Sequence, residues 1–146
     1  MRRAVIFDID GTLADCDHRR HHVQGSKKDW AAFYAGMEAD QGRPNVIGLL
    51  RHLSTIRCAI LVTGRPETYR NVTKIWLNQH GCDGWGALFM RKDGDFRADT
   101  EIKKEIYHTH IEPTFDIDLV VDDRTSVVQM WRNLGLECWQ VANGDF

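Results

Sequence analysis

Short apolar runs alternate with longer helical patterns along this chain, and that rhythm most restricts what it can fold into. Arg3 to Asp8, Cys58 to Val62, Ala87 to Met90, Ile117 to Val121 and Glu137 to Val141 read as buried strands. Helical patterns fill Asn45 to Ile56, Pro66 to His80, Thr100 to Ile111 and Thr125 to Leu134. Pro66 suits a first helical position, and Gly81 and Gly135 suit helix stops. Such alternation predicts an α/β fold with a parallel sheet covered on both faces. Its ligand site is then expected beyond the carboxyl ends of the strands. The 146 residues give one domain, residues 1–146. Asp15 to Gly42 fits no crossover, and reads as a small polar excursion over the sheet's edge with a short helix around Asp29 to Met37.

The chemistry follows the strands. Asp8-Ile9-Asp10-Gly11-Thr12 places two carboxylates at i and i+2 directly after the first strand. Acids this close repel one another, so a cation or a shared proton is expected between them. Val62-Thr63-Gly64-Arg65-Pro66 follows the second strand; a hydroxyl, a glycine N–H and a helix N-terminus there would form a phosphate-sized pocket. Val120-Val121-Asp122-Asp123-Arg124 brings a second acidic pair, of the hard oxygen type that suits Mg²⁺. Lys103 lies on a predicted helix. Each signal has a plainer reading as a cap or a solvated side chain. Converging at one sheet edge, they describe a phosphoryl-transfer site.

Composition narrows the class. A formal net charge of −2 argues against a protein that coats nucleic acid non-specifically, but not against one that grips a strand end. Cys16, Cys58, Cys82 and Cys138 form no C-x-x-C pair, which points away from zinc and towards a reducing compartment. The apolar run after Met1-Arg2-Arg3 is too short for a signal peptide, and none approaches a membrane span, so cytoplasm is the expected location and no membrane partner is expected. His18, His21 and His22 have spacing that would gather imidazoles on a helix, yet no cysteine or carboxylate pattern completes a zinc site. Among the five tryptophans, Trp76 and Trp131 fit helix cores, and Trp30 is the candidate for stacking a base.

The residues Asp8-x-Asp10-Gly11-Thr12, Thr63-Gly64-Arg65, Lys103 and Asp122-Asp123, in that order, resemble the four motifs of the haloacid dehalogenase (HAD) phosphohydrolases. Phe115 to Phe146 most densely, with Arg3 to Thr12, Val62 to Arg65 and Asp99 to Ile111, resembles the 3′-phosphatase domain of bacteriophage polynucleotide kinase/phosphatase. The resemblance implies a HAD-like Rossmannoid three-layer sandwich, with a five-stranded mainly parallel sheet and a minimal cap at about residues 15–42. It implies Asp8 as the nucleophile that forms an aspartyl-phosphate and Asp10 as general acid, then base. It further implies Thr63 as a phosphate contact with Gly64 beside it, Lys103 as the neutralising cation, and Mg²⁺ held by Asp8, Asp10 (through its backbone oxygen), Asp122 and Asp123. Arg65, Asp99 and Arg19 match further substrate-contacting positions, with Arg20 adjacent as the other cap arginine.

Lid size bears on the substrate. After the crossover helix, only about 30 residues between Asp10 and Thr63 are left for a cap, so the site should have an open mouth suited to a polynucleotide end. Arg19, Arg20, Arg65, Arg97 and Arg124 would be near that mouth, where arginines can grip flanking phosphates. With the open mouth, the resemblance implies 3′-phosphorylated DNA or RNA ends as partners, with an oligomer allowed by the family. Gly25-Ser26-Lys27-Lys28 lacks the phosphate-loop spacing, so no ATP site or kinase domain is expected. The alternatives are a phosphatase of free mononucleotides, a receiver domain and a silent end-binding module.

Overall fold

The computed structural model describes residues 1–145. Its central strand, β1 (Arg2–Phe7), is flanked on both sides. A two-residue ribbon follows, β2 (Ala14–Asp15) with β3 (Gln41–Gly42), joined by an excursion that carries α1 (Trp30–Ala35). The chain continues through α2 (Pro44–Leu53), β4 (Cys58–Pro66), α3 (Arg70–Gln79) and β5 (Trp85–Arg91). It ends with α4 (Asp99–Ile106), β6 (Phe115–Asp122), α5 (Thr125–Asn133) and β7 (Cys138–Gln140). The sheet order is β5-β4-β1-β6-β7, with every pairing parallel. This is an α/β Rossmann-like fold.

Side-chain alternation explains the two covered faces. Val5, Phe7, Ala59, Leu61 and Val121 pack with Leu50 of α2 and with Trp76 and Leu77 of α3. Ala4, Ile6, Ile60, Val62 and Val120 face the other way, onto Ile102 of α4 and onto Val127, Val128 and Trp131 of α5. Burying each large apolar side chain of β1 stabilises the fold by roughly 1.5–3 kcal/mol, so Phe7→Ala is expected to be costly. The chain runs outward from β1 to β4 and β5, then returns to β6 and β7 on the other side. The carboxyl ends of β1 and β6 therefore meet where the winding reverses, which opens a crevice.

One predicted boundary is corrected. Pro66 does not open a helix: β4 stays extended through it, a short turn spans Glu67–Tyr69, and α3 begins at Arg70. The cause is local, because the Gly64 carbonyl accepts from Arg91 Nε at 2.9 Å and from the Tyr34 hydroxyl at 3.3 Å, while Pro66 pairs with Arg91 in the sheet. No helix N-terminus therefore adjoins Thr63. Asp29 does cap α1, accepting from Ala32 N–H at 3.0 Å. After Ile106 the predicted helix widens into a π-helical stretch, Tyr107–Ile111. Among the described residues, no helix is long and apolar enough to cross a membrane.

Candidate active site

Asp8 leaves the end of β1, and Asp122 ends β6, its sheet neighbour. Lys103, buried on α4, joins them: its Nζ donates to Asp8 Oδ1 at 2.8 Å and to Asp122 Oδ2 at 3.0 Å. The indole N–H of Trp131 also donates to Asp122 Oδ2, at 3.2 Å, and the Asp123 N–H donates to Asp122 Oδ1 at 2.9 Å. The Thr12 hydroxyl stands 3.2 Å from both Asp8 Oδ2 and Asp123 Oδ1, able to donate to one at a time. Gly11 makes this turn possible. Its φ is +83°, and a Cβ there would lie 2.0 Å from Asp123 Oδ2.

Asp8, Asp122 and Asp123 each offer an oxygen within 4.8 Å of the others, the one such grouping of three potential ligands among the described residues. Three buried carboxylates meet one ammonium and the edge of Arg20, which donates to Asp123 Oδ2 at 3.1 Å. Negative charge is in surplus. Burial, then the Asp122 charge, pushes Asp8 well above the usual carboxylate range. Burial and Asp122 likewise raise Asp123, to about 6. Lys103 moves the opposite way: burial alone would lower it, but Asp122 and Asp8 outweigh that and keep it charged. A hard divalent cation fits this donor set, because it would relieve the repulsion and take oxygen ligands.

Asp10, only two residues on, lives in a different field. Arg65 grips it with a fork, Nε to Oδ2 at 3.0 Å and Nη2 to Oδ1 at 2.6 Å. Arg19 Nη2 donates to Oδ1 at 2.5 Å. Burial would raise Asp10, but Arg65 and then Arg19 hold it far below the usual range. Both arginines are themselves anchored. Arg19 forks onto buried Asp40, donates to the Phe33 carbonyl at 3.1 Å, and lies 4.3 Å from the Phe33 ring centre. Arg65 Nη1 donates to Thr73 Oγ1 at 3.0 Å.

This placement corrects the expectation of a mouth lined by Arg19 and Arg65: both side chains are fully buried and turned onto Asp10. Arg20 reaches Asp123 instead, and Arg97 alone of the five arginines is exposed at the surface. The Asp10 carboxylate does not join the Asp8, Asp122 and Asp123 oxygens. Thr63 is buried, and its Oγ1 accepts from the Arg65 N–H at 3.2 Å. Gly64 is obligatory in another way, since a Cβ there would strike Asp99 Oδ1 at 2.3 Å. Asp99 in turn is clamped by Arg91 Nη2 at 2.6 Å and Arg124 Nη1 at 3.1 Å. Asp8, Asp10, Thr63, Gly64, Lys103 and Asp122 all line one cavity of about 30 Å³, whereas a much larger cavity, about 460 Å³, lies beside it. The titratable groups assign the chemistry to the smaller one.

The His18 Nε2–H donates to Asp40 Oδ1 at 2.7 Å, while the His21 and His22 rings lie 4.0 Å apart; the three gather no metal-sized cluster among the described residues. Trp76 and Trp131 are core residues, and Trp30 is partly exposed at the cavity. Asp40, Arg91 and the polar bond of Trp131 escape a reading of the sequence. The only available signal for Asp40 is that a buried arginine demands a buried acid.

A buried acid cluster with a bridging lysine, at the switch point of a parallel α/β sheet, defines a phosphatase of the haloacid dehalogenase class. The family described as the polynucleotide kinase PNKP phosphatase domain matches residues 2–146, and the chain belongs to it. In the solved Pnkp1/Rnl/Hen1 complex, a chain superposes with a TM-score of 0.87 and 32% identity, over 100% of this chain and 48% of that one. An Autographa californica nuclear polyhedrosis virus protein, described as a bifunctional polynucleotide kinase/RNA ligase, is 29% identical over 134 residues, covering 90% of this chain and 18% of that protein. This chain thus spans less than half of each of these relatives. A haloacid dehalogenase-like hydrolase of Streptococcus pneumoniae shares the fold, with a TM-score of 0.66 and 15% identity.

Proposed function

We propose that the chain removes the terminal 3′-phosphate from DNA or RNA ends in a Mg²⁺-dependent reaction through an aspartyl-phosphate on Asp8. The observation that carries this reading is the separation of two acids: Asp8 in a carboxylate cluster bridged by Lys103, and Asp10 outside it on two arginines. In this scheme an Asp8 oxygen forms a bond to phosphorus as the bond from phosphorus to the 3′ oxygen breaks. The departing oxygen takes its proton from Asp10. Asp10, now a carboxylate, removes a proton from water as the water oxygen attacks phosphorus, releasing phosphate and restoring Asp8. Lys103 offsets charge between nucleophile and phosphoryl group, and Thr63 with Gly64 receives phosphate oxygens. Asp8, Asp122, Asp123 and the Asp10 backbone oxygen would hold Mg²⁺, which when bound supplies charge neutralisation at the transferring group.

The resting site holds Asp10 ionised, the form required of the base. Arg65 and Arg19 are assigned as positioning residues for it, not as grips on distant phosphates. To serve as the acid, Asp10 must gain a proton as it turns from them towards the leaving oxygen. Phosphate release measured on 3′-phosphorylated DNA, RNA and free nucleotides, with Mg²⁺ and with a chelator, tests the reading. Oligonucleotide ends should be turned over faster than mononucleotides, and only with the ion. Equal or better turnover of mononucleotides would assign a nucleotidase instead.

A further inference from the structure

The 460 Å³ groove shares Trp30, Tyr34, Asp99 and Arg124 with the carboxylate pocket, so the two adjoin. Its walls are unusually apolar for a neighbour of four acids: Trp30, Tyr34, Pro66 and Phe96. Phe96 is 94% exposed and makes no ring contact among the described residues. Trp30 packs edge-on to Phe33 at 5.6 Å and stacks on Tyr34 at 6.0 Å, two contacts that restrain the indole. Cations border these rings. Lys28 Nζ lies 5.9 Å from the Trp30 ring centre, and Arg97 is exposed, paired at the surface with Asp95 and Glu105. Exposed pairs of this kind exchange readily for a stronger anion.

Aromatic walls ringed by cations, opening onto a phosphate pocket, are complementary to a flat base carried on a polyanion. An apolar peptide would bring no anion to Lys28 or to Arg97 in exchange for its surface pairs, and a bare sugar phosphate would leave the rings uncovered. We propose that this groove is the subsite for the 3′-terminal nucleoside, with its base against Trp30 and Phe96 and the next phosphate upstream meeting Lys28 and Arg97. The proposal rests on the 3′-phosphatase reading and adds the element that recognises a base without reading its identity, since stacking tolerates every base.

The test compares two 3′-phosphorylated oligonucleotides that differ only in their last residue, one intact and one abasic. For the unaltered protein, KM for the abasic end should be higher by about tenfold, the size of one lost stack. In Phe96→Ala, and in Trp30→Ala, KM for the intact end should rise until that ratio falls towards one, and Trp30→Phe should restore most of it. Phe96→Ala carries the test if Trp30→Ala disturbs α1, because Phe96 has no packing to lose. Equal KM for the two ends in the unaltered protein, or a ratio unchanged in Phe96→Ala, would overturn the subsite while leaving the phosphatase reading standing. No phosphate release from either oligonucleotide by the unaltered protein would overturn that reading, and the subsite with it.

Discussion

Asp8 and Asp10 stand two residues apart, yet they sit in opposite fields. Asp8 shares its surroundings with Asp122 and Asp123 against a single buried ammonium, and its carboxyl is pushed up. Asp10 faces Arg65 and Arg19 and is held down. The sharp turn at Gly11, with Asp10 bridging back to Ala14, lets one short segment serve both sides. One field has a place for a cation, and the other already holds two. Acids separated in this way can take different roles in one reaction, a nucleophile on one side and a proton carrier on the other.

The largest effect should come from removing the acid of the first field. Asp8→Asn is expected to lower phosphate release by ~10⁴-fold or more, because no other group can attack in its place. Survival of activity would end the division of labour. Next in size is Arg65→Gln, which leaves Asp10 with Arg19 alone. Turnover should fall by ~10²-fold through misplacement of the carboxylate. The limb of the rate–pH profile that reports Asp10 should move upward, because one of two positive charges that favour its ionised form is gone. A fall in rate without that shift would make Arg65 merely structural.

The first field also predicts a pH dependence. Asp8 and Asp123 have folded values raised above the unfolded ones, Asp123 to about 6. Both therefore favour the metal-free protein at low pH, and the Asp123 contribution is lost as pH rises from about 4 through about 6, with that of Asp8 also lost as its carboxyl ionises. Mg²⁺ needs the ionised forms, so its thermal stabilisation should be several degrees larger at about pH 7.5 than at about pH 5. An equal shift at both values would place the ion elsewhere. The smallest effect is Trp131→Phe, which deletes one indole bond to Asp122 and a little volume; denaturant unfolding should show a loss of about 1–3 kcal/mol.

Much of the first field was legible along the chain, because Asp8, Asp122 and Asp123 directly follow apolar strands that any parallel sheet would bring to one edge. Lys103 was legible only as part of an ordered set. The second field was far less so. Arg19 and Arg65 were visible as arginines, but a sequence does not show which way a guanidinium turns. Both are paired with Asp40, an acid in the excursion that resembles any surface aspartate until Arg19 turns onto it. The helix expected at Pro66 failed for a similar reason: Arg91 and Tyr34, 25 and more residues away, donate to the Gly64 carbonyl and keep that stretch extended. Local propensity could not register contacts made at that distance.

The most direct test is to trap the phosphorylated enzyme in an Asp10→Asn variant, using an aryl phosphate whose leaving group needs no protonation. Asp8 should still attack, while the water step, deprived of its base, should stall. Peptide mass spectrometry is then expected to find near-stoichiometric phosphate on the segment containing Asp8, and none in the Asp8→Asn, Asp10→Asn double variant. Phosphate on another residue, or full turnover by Asp10→Asn with no trapped phosphate, would contradict the separation of roles between these two aspartates.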